Sequence, residues 1–187
     1  MRSHSIMPAV VAAIVLAGAA AARAQSPYGI GRPATSAEIA GWNIDVGRDG
    51  SNLPSGSGTV NHGREVYEQE CASCHGANGE GAVGDRLVGG QGTLATAKPV
   101  RTVGSYWPYA PTLFDYIRRA MPQNAPESLS DGDVYAVSAY ILNLNGLLSA
   151  DAMLDAKSLA EIKMPNRGMF VDDPRPDVHK LVCTMRC

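Results

Sequence analysis

Charge is scarce in this chain of 187 residues: 18% are Asp, Glu, Lys or Arg, and 16 basic side chains stand against 18 acidic ones. Without a basic excess, composition argues against nucleic acid or an anionic membrane surface as a partner. Apolar runs are short as well. The stretch over residues 10–22 falls below the roughly 20 residues of a membrane-spanning helix, and nothing after it is more apolar. No internal repeat is present, and no strongly alternating stretch demands a sheet. What the chain has instead is punctuation, 20 Gly and 12 Pro, which predicts a fold with much loop.

Arg2 and His4 precede the apolar run, and Ala22-Arg23-Ala24 closes it in the small-x-small pattern of a cleavage site. This reads as an export signal over residues 1–24, with an uncleaved N-terminal anchor as the alternative. Removing it leaves 14 basic and 18 acidic residues, a net charge of −4. Export also makes a disulfide permissible. The rest divides into an N-terminal extension over 25–58, one domain over 59–148 and a C-terminal extension over 149–187. The first extension holds a short helix candidate at 36–41, opened by Thr35 or Ser36, and turns at 47–50 and 55–58. Residues 149–164 offer a further helix, and the chain from Asn166, with Pro174 and Pro176, reads as an extended tail.

Three helices stand out in the domain. The first spans about 61–71, with Val60, Gly63, Tyr67 and Cys71 on one face; Gly63 weakens it unless something approaches closely there. The second spans 112–120, where Thr112 and Asp115 form a capping-box pair, Leu113 and Ile117 share a face, and Pro122 stops the helix. The third opens with Ser130 as cap and Asp133 three residues on. Val134, Val137, Ile141, Leu144 and Leu148 keep its stripe, and Gly146 lies near its end. That stripe says helix and core, not function.

The chemistry sits at Cys71-Ala72-Ser73-Cys74-His75. A Cys-x-x-Cys-His run is the attachment signature of c-type haem. Each thiol adds to a vinyl group of the porphyrin as a thioether, and the adjacent imidazole meets the iron. A core built partly around so large an apolar cofactor tolerates many loops. For the opposite face, a thioether favours the ferrous state and raises the potential. Met121, Met153, Met164, Met169 and Met185 are available. Met121 is the sharpest candidate because it ends the second helix and precedes Pro122, and a plain core filler is the alternative. His62 and His179 read as solvated surface residues. An open iron would imply ligand or peroxide chemistry, for which no acid–base pair is specified.

These linked motifs resemble the class I cytochrome c family: Gly63 and Tyr67 ahead of Cys71–His75, the Gly-rich loop 76–84, Leu87, Met121-Pro122, and a Tyr-containing last helix over 131–144. The resemblance implies an all-α fold of three main helices around one covalent haem, with His75 as proximal and Met121 as distal ligand. Many members have Pro where Asp85 stands, and its carbonyl orients the imidazole. Here another carbonyl within 79–87 is the expected substitute. A narrower resemblance rests on Gly41-Trp42-Asn43-Ile44-Asp45-Val46, on residues 53–60, on Thr102-Val103-Gly104-Ser105-Tyr106-Trp107-Pro108-Tyr109, on Arg118-Arg119-Ala120-Met121-Pro122 and on Met164-Pro165-Asn166. These look like the haem domain of the cytochrome subunit of the sulfur-oxidising (Sox) dehydrogenase. That family implies a molybdenum-cofactor subunit as partner, electrons from sulfur or sulfite oxidation, and a downstream cytochrome or oxidase. The single Cys-x-x-Cys-His makes this chain look like a one-haem relative.

The expected function is therefore a periplasmic one-electron carrier with no catalytic residue of its own. The rivals are a carrier for another dehydrogenase, such as one for alcohols, and a haem sensor or peroxidase-like protein. Tyr106, Trp107 and Tyr109 either line the haem pocket or pack a Pro-rich loop, with Arg101 and Lys98 as candidate propionate partners. Cys183 and Cys187, spaced by three residues with no His following, read as a local disulfide pinning the tail.

Overall fold

The computed structural model describes Tyr28 and residues 30–175. The export signal, His179, Met185, Cys183 and Cys187 lie outside the described residues. The chain divides between Ile44 and Asp45 into two units. The first carries α1, Ser36–Trp42, which opens on a full capping box: Thr35 accepts from the Glu38 amide, and Glu38 accepts from the Thr35 amide at 2.8 Å. Arg32 closes on the same carboxylate at 2.5 Å and, with the Thr35 bonds, holds it down to about 2.

In the second unit the elements run β1 (Ser57–Thr59), α2 (Val60–Glu70), α3 (Ala72–His75), α4 (Ala110–Ala120), α5 (Asp131–Leu144), β2 (Met153–Asp155) and α6 (Ala156–Glu161). The expected three helices are α2, α4 and α5. Thr59 caps α2 by accepting from the His62 amide, and Ser130 caps α5 by accepting from that of Asp133. The Ser130 cap was readable because it is local, whereas that of Thr59 was not named from the sequence. The core is the packing of α2 and α4 on α5, with Tyr67, Phe114, Val134, Tyr135, Val137 and Leu142 among its fully enclosed side chains.

α2 and α5 approach backbone to backbone. A Cβ on Gly63 would lie 1.8 Å from the Ala136 carbonyl oxygen, and one on Gly58 would lie 2.2 Å from the Ala136 nitrogen. The glycine that weakens α2 as a helix is thus what lets it dock.

Two expectations are corrected. Thr112 and Asp115 form no capping box: α4 begins earlier, at Ala110, with Pro111 in its first turn and no side-chain cap. Thr112 donates to the Tyr109 carbonyl at 2.7 Å. Asp115, almost buried, accepts from the Val46 amide at 3.0 Å and from Arg119. A carboxylate one turn into a helix served a distant segment better than its own first turn. The second correction is a strand ladder. The helix expected over 149–164 forms only at 156–161, because Met153–Asp155 pairs antiparallel with β1, with Gly58 opposite Leu154. Residues 55–58, read as a turn, end in that strand. Three residues are too few for alternation to show.

Two outcomes follow from this packing. Gly63→Ala is expected to destabilise the protein by about 2 kcal/mol or more, since the clash is with backbone that no rotamer change relieves; thermal unfolding of the intact protein checks this. The second concerns His62, which meets Asp133 at 2.7 Å and Glu65 at 3.6 Å across the starts of α2 and α5. The Asp133 bond raises the His62 pKa, while Ser130 first and then His62 lower that of Asp133. The His62 contribution is complete below its unfolded pKa and is lost as pH rises through its folded one. That of Asp133 is lost as pH falls through the acid range. His62→Gln is therefore expected to cost about 0.5 kcal/mol near pH 6 and close to nothing near pH 9, read as the difference in melting temperature.

Candidate cofactor site

α2 delivers the site. Its buried face carries Val60, Gly63, Val66 and Tyr67, and one turn on from Tyr67 the chain reaches Cys71, whose amide still bonds the Tyr67 carbonyl at 2.9 Å. A single further turn, α3, holds Cys74 and His75 and ends at Gly76, whose φ of +82° suits only glycine. Tyr67 fixes that end. Its ring packs 5.3 Å from that of Tyr140, and its hydroxyl donates to the Gly76 carbonyl at 2.8 Å. Burial pushes the phenol up to about 12, so it stays a donor at any ordinary pH.

Cys71 is half-buried and Cys74 is exposed. Burial, then the nearby Glu70 and Cys74, push Cys71 up to about 11. Among the described residues no three His, Cys, Asp or Glu side chains converge as a metal-ion site.

The imidazole of His75 is already oriented. Its Nδ1 lies 2.7 Å from the Asp85 carbonyl oxygen. A carbonyl only accepts, so Nδ1 carries the proton and Nε2 keeps its lone pair for a ligand. The residue at the position where proline is usual supplies the carbonyl itself, since the contact needs only backbone. The loop 76–87 is tied down by its own amides: Gly84 donates to the Cys74 carbonyl and Gly81 to that of His75, each at 2.8 Å. Further on, Asn145 at the end of α5 accepts from the Gly89 amide at 3.1 Å and donates to the Leu87 carbonyl at 3.1 Å. Sequence reasoning missed the Tyr67 hydroxyl and Asn145. An Asn at a helix C-terminus was the available signal for the second.

Met121 follows α4 as its C-cap, half-buried, and Pro122 beside it is buried. The other described methionines are placed differently. Met164 is closed in the core, while Met153 and Met169 are exposed. His62, as expected, is a surface residue. Of the aromatic loop, Trp107 packs edge-on 5.8 Å from Tyr116 of α4, whereas Tyr106 lies under Arg101 and against Phe170.

The donor set fits haem c: two thiols on adjoining turns, an imidazole with one nitrogen committed and the other free, and a thioether on a separate element. The family comparisons point the same way. The sequence profile described as "Cytochrome C oxidase, cbb3-type, subunit III" matches residues 58–141. Comparison with curated proteins gives no match. The chain belongs to the class I c-type cytochromes, electron carriers whose prosthetic group is haem c. Within that class it is similar to a chain in the crystal structure of the sulfane dehydrogenase SoxCD from Paracoccus pantotrophus. Identity is 39% over 85% of this chain and 81% of that one, with a TM-score of 0.73. No helix among the described residues is long and apolar enough to cross a membrane.

Because the Asp85 contact runs through backbone, Asp85→Asn is expected to leave the His75 Nδ1 proton resonance and the absorption bands of the haem protein in place. Gly84→Val should move them, since a Cβ there would lie 3.0 Å from the imidazole Cε1 and 3.1 Å from Nδ1. Proton NMR of the two variants separates the cases.

Proposed function

We propose that this chain is a periplasmic monohaem cytochrome c that takes electrons from a molybdenum-dependent sulfite or sulfur-compound dehydrogenase and passes them to a downstream cytochrome or oxidase. Residues 1–24 are the export signal, 59–148 the haem domain, and 25–58 and 149–187 its extensions. Cys71 and Cys74 would carry one covalent haem, and His75 and Met121 would ligate its iron, within a domain built on α2, α4 and α5. The observation that carries this reading is the 39% identity, over 85% of the chain, to a chain of the sulfane dehydrogenase SoxCD structure.

Bound haem c supplies a one-electron iron couple. The chain's own residues then have three tasks. The Asp85 carbonyl fixes the imidazole ring and makes Nε2 more basic. Met121, flanked by buried Pro122, offers a soft sulfur that favours the reduced metal. The apolar side chains of α4 and α5 would help to exclude water from the haem, which would lower the reorganisation that each change of charge demands.

The test is direct. The exported protein is expected to show the added mass of one haem, and its ferric form the sulfur-to-iron charge-transfer band at the red end of the spectrum. Met121→Ala should abolish that band and lower the reduction potential while leaving the haem attached. A native protein without the band would overturn the carrier reading in favour of an open-iron sensor or peroxidase. A copurifying dehydrogenase free of molybdenum would overturn the sulfur-compound assignment and point to a donor such as an alcohol dehydrogenase.

A further inference from the structure

Asn145 is only 7% exposed and follows α5 as its C-cap. Its side-chain amide is spent on backbone groups of two separate segments. Nδ2 donates to the Ile141 carbonyl at 2.9 Å within its own helix and to the Leu87 carbonyl at 3.1 Å across in the loop. Oδ1 accepts from the Gly89 amide at 3.1 Å. A carbonyl only accepts and a backbone amide only donates, so these partners fix which way round the Asn145 amide sits. Gly104 backs it closely: a Cβ there would lie 2.1 Å from Oδ1. The place calls for two donor protons and an acceptor on a short stem, which describes asparagine. Aspartate keeps the acceptor and loses both donors.

One of these bonds lands beside the imidazole. Leu87 is two residues beyond Asp85, whose carbonyl oxygen lies 2.7 Å from His75 Nδ1. Hydrogen bonds pin the chain on both sides of Asp85. On one side the Gly84 amide donates to the Cys74 carbonyl at 2.8 Å. On the other, the Leu87 amide donates to the Gly79 carbonyl at 2.9 Å, and the Leu87 carbonyl accepts from Asn145. Gly79 belongs to the same loop, whereas Asn145 ties the loop to α5. The Asp85 carbonyl is therefore carried on a short span whose far end is held by a buried side chain of the last helix.

We propose that Asn145 is a positioning residue for His75. By holding Leu87 it sets the strength of the hydrogen bond from His75 Nδ1 to the Asp85 carbonyl, and through that bond the reduction potential. This rests on the function proposed above, in which His75 ligates the iron. A firm acceptor on Nδ1 makes Nε2 more basic, which favours the ferric ion. Letting the Asp85 carbonyl drift weakens that effect and raises the potential.

The experiment reads the His75 Nδ1 proton of the ferrous holoprotein by NMR, together with the midpoint potential. Asn145→Asp keeps the size of the side chain and removes the donor to Leu87. Its Nδ1 proton is expected to exchange with solvent about tenfold faster, and its ferrous-to-ferric ratio at a fixed applied potential to be about threefold higher. Gly104→Ala displaces the same amide without altering its chemistry and should shift both readouts in the same direction. Asp155→Ala removes the cap of α6, where the carboxylate accepts from the Ser158 amide at 2.8 Å. It should lower the melting temperature and leave both readouts at wild-type values. A further measurement needs no variant to fold. In the wild type, the Gly89 amide and the Nδ1 proton should exchange through one common opening, with equal protection across a denaturant series. The inference is overturned if Asn145→Asp and Gly104→Ala keep the wild-type exchange rate and potential, or if Asp155→Ala shifts them as much. Should the first two variants not fold, independent opening of the Gly89 amide and the Nδ1 proton overturns it. His75 remains a ligand in each of those cases. If the wild type shows no ring proton of His75 with the ring-current shift of a haem-bound imidazole, the ligand assignment itself falls and takes the role of Asn145 with it.

Discussion

Where α2 crosses α5, no side chain separates the two backbones. Gly58 and Gly63 both press on Ala136, and that contact fixes how deep α2 lies and how it is rotated. Everything at the site is measured from there. One turn beyond Gly63, Tyr67 enters the core with its ring on Tyr140 and its hydroxyl on the Gly76 carbonyl. The next turn is Cys71, and the single turn after it carries Cys74 and His75. The thiols and the imidazole are placed by a rigid lever whose pivot is a missing Cβ.

The rest of the site is loop, and a loop must satisfy its backbone without a ladder. Here the motif itself supplies acceptors: the carbonyls of Cys74 and His75 take the amides of Gly84 and Gly81. The loop then returns the bond, offering the Asp85 carbonyl to the imidazole. Attachment turn and loop therefore order each other, and the tautomer of His75 follows from which group the loop presents. Asn145 extends the arrangement by fastening residues 87 and 89 to the end of α5, so the helix that positions α2 also anchors the far end of the loop.

What was legible in the sequence was local. Thr35 and Ser130 cap within three residues of themselves, and the periods of α2, α4 and α5 show within a dozen. The Cys-x-x-Cys-His spacing is likewise local, and so is the ending of α4 at Met121-Pro122. Asp115 deceived because a carboxylate at a helix start looks like a cap, whereas a distant amide, that of Val46, had the stronger claim on it. The β1–β2 ladder left no trace because its register is set by tertiary contacts: the Val60 amide bonds the Ala152 carbonyl just beyond the pairing, and Gly58 is chosen for Ala136. Which carbonyl would orient His75 was hidden for another reason. A backbone acceptor has no residue type to recognise.

Residues 45–58 and the described residues after α5 are built into the same unit as the central helices. Val46 is tied to Asp115, β2 is paired with β1, and Asn166 is bonded to Tyr106. Each tie is a hydrogen bond that a shorter chain would leave unmade on a half-buried group, at a cost of about 1–3 kcal/mol. Their effect is to bring Arg48, Tyr109 and Arg167 to one point, which none of the three helices could do alone. In a carrier the chemistry belongs to the cofactor and its two ligands, and the choice of partner belongs to the surface. The flanking segments gather surface side chains from distant parts of the chain, and that makes them a part of the fold suited to contact with a partner.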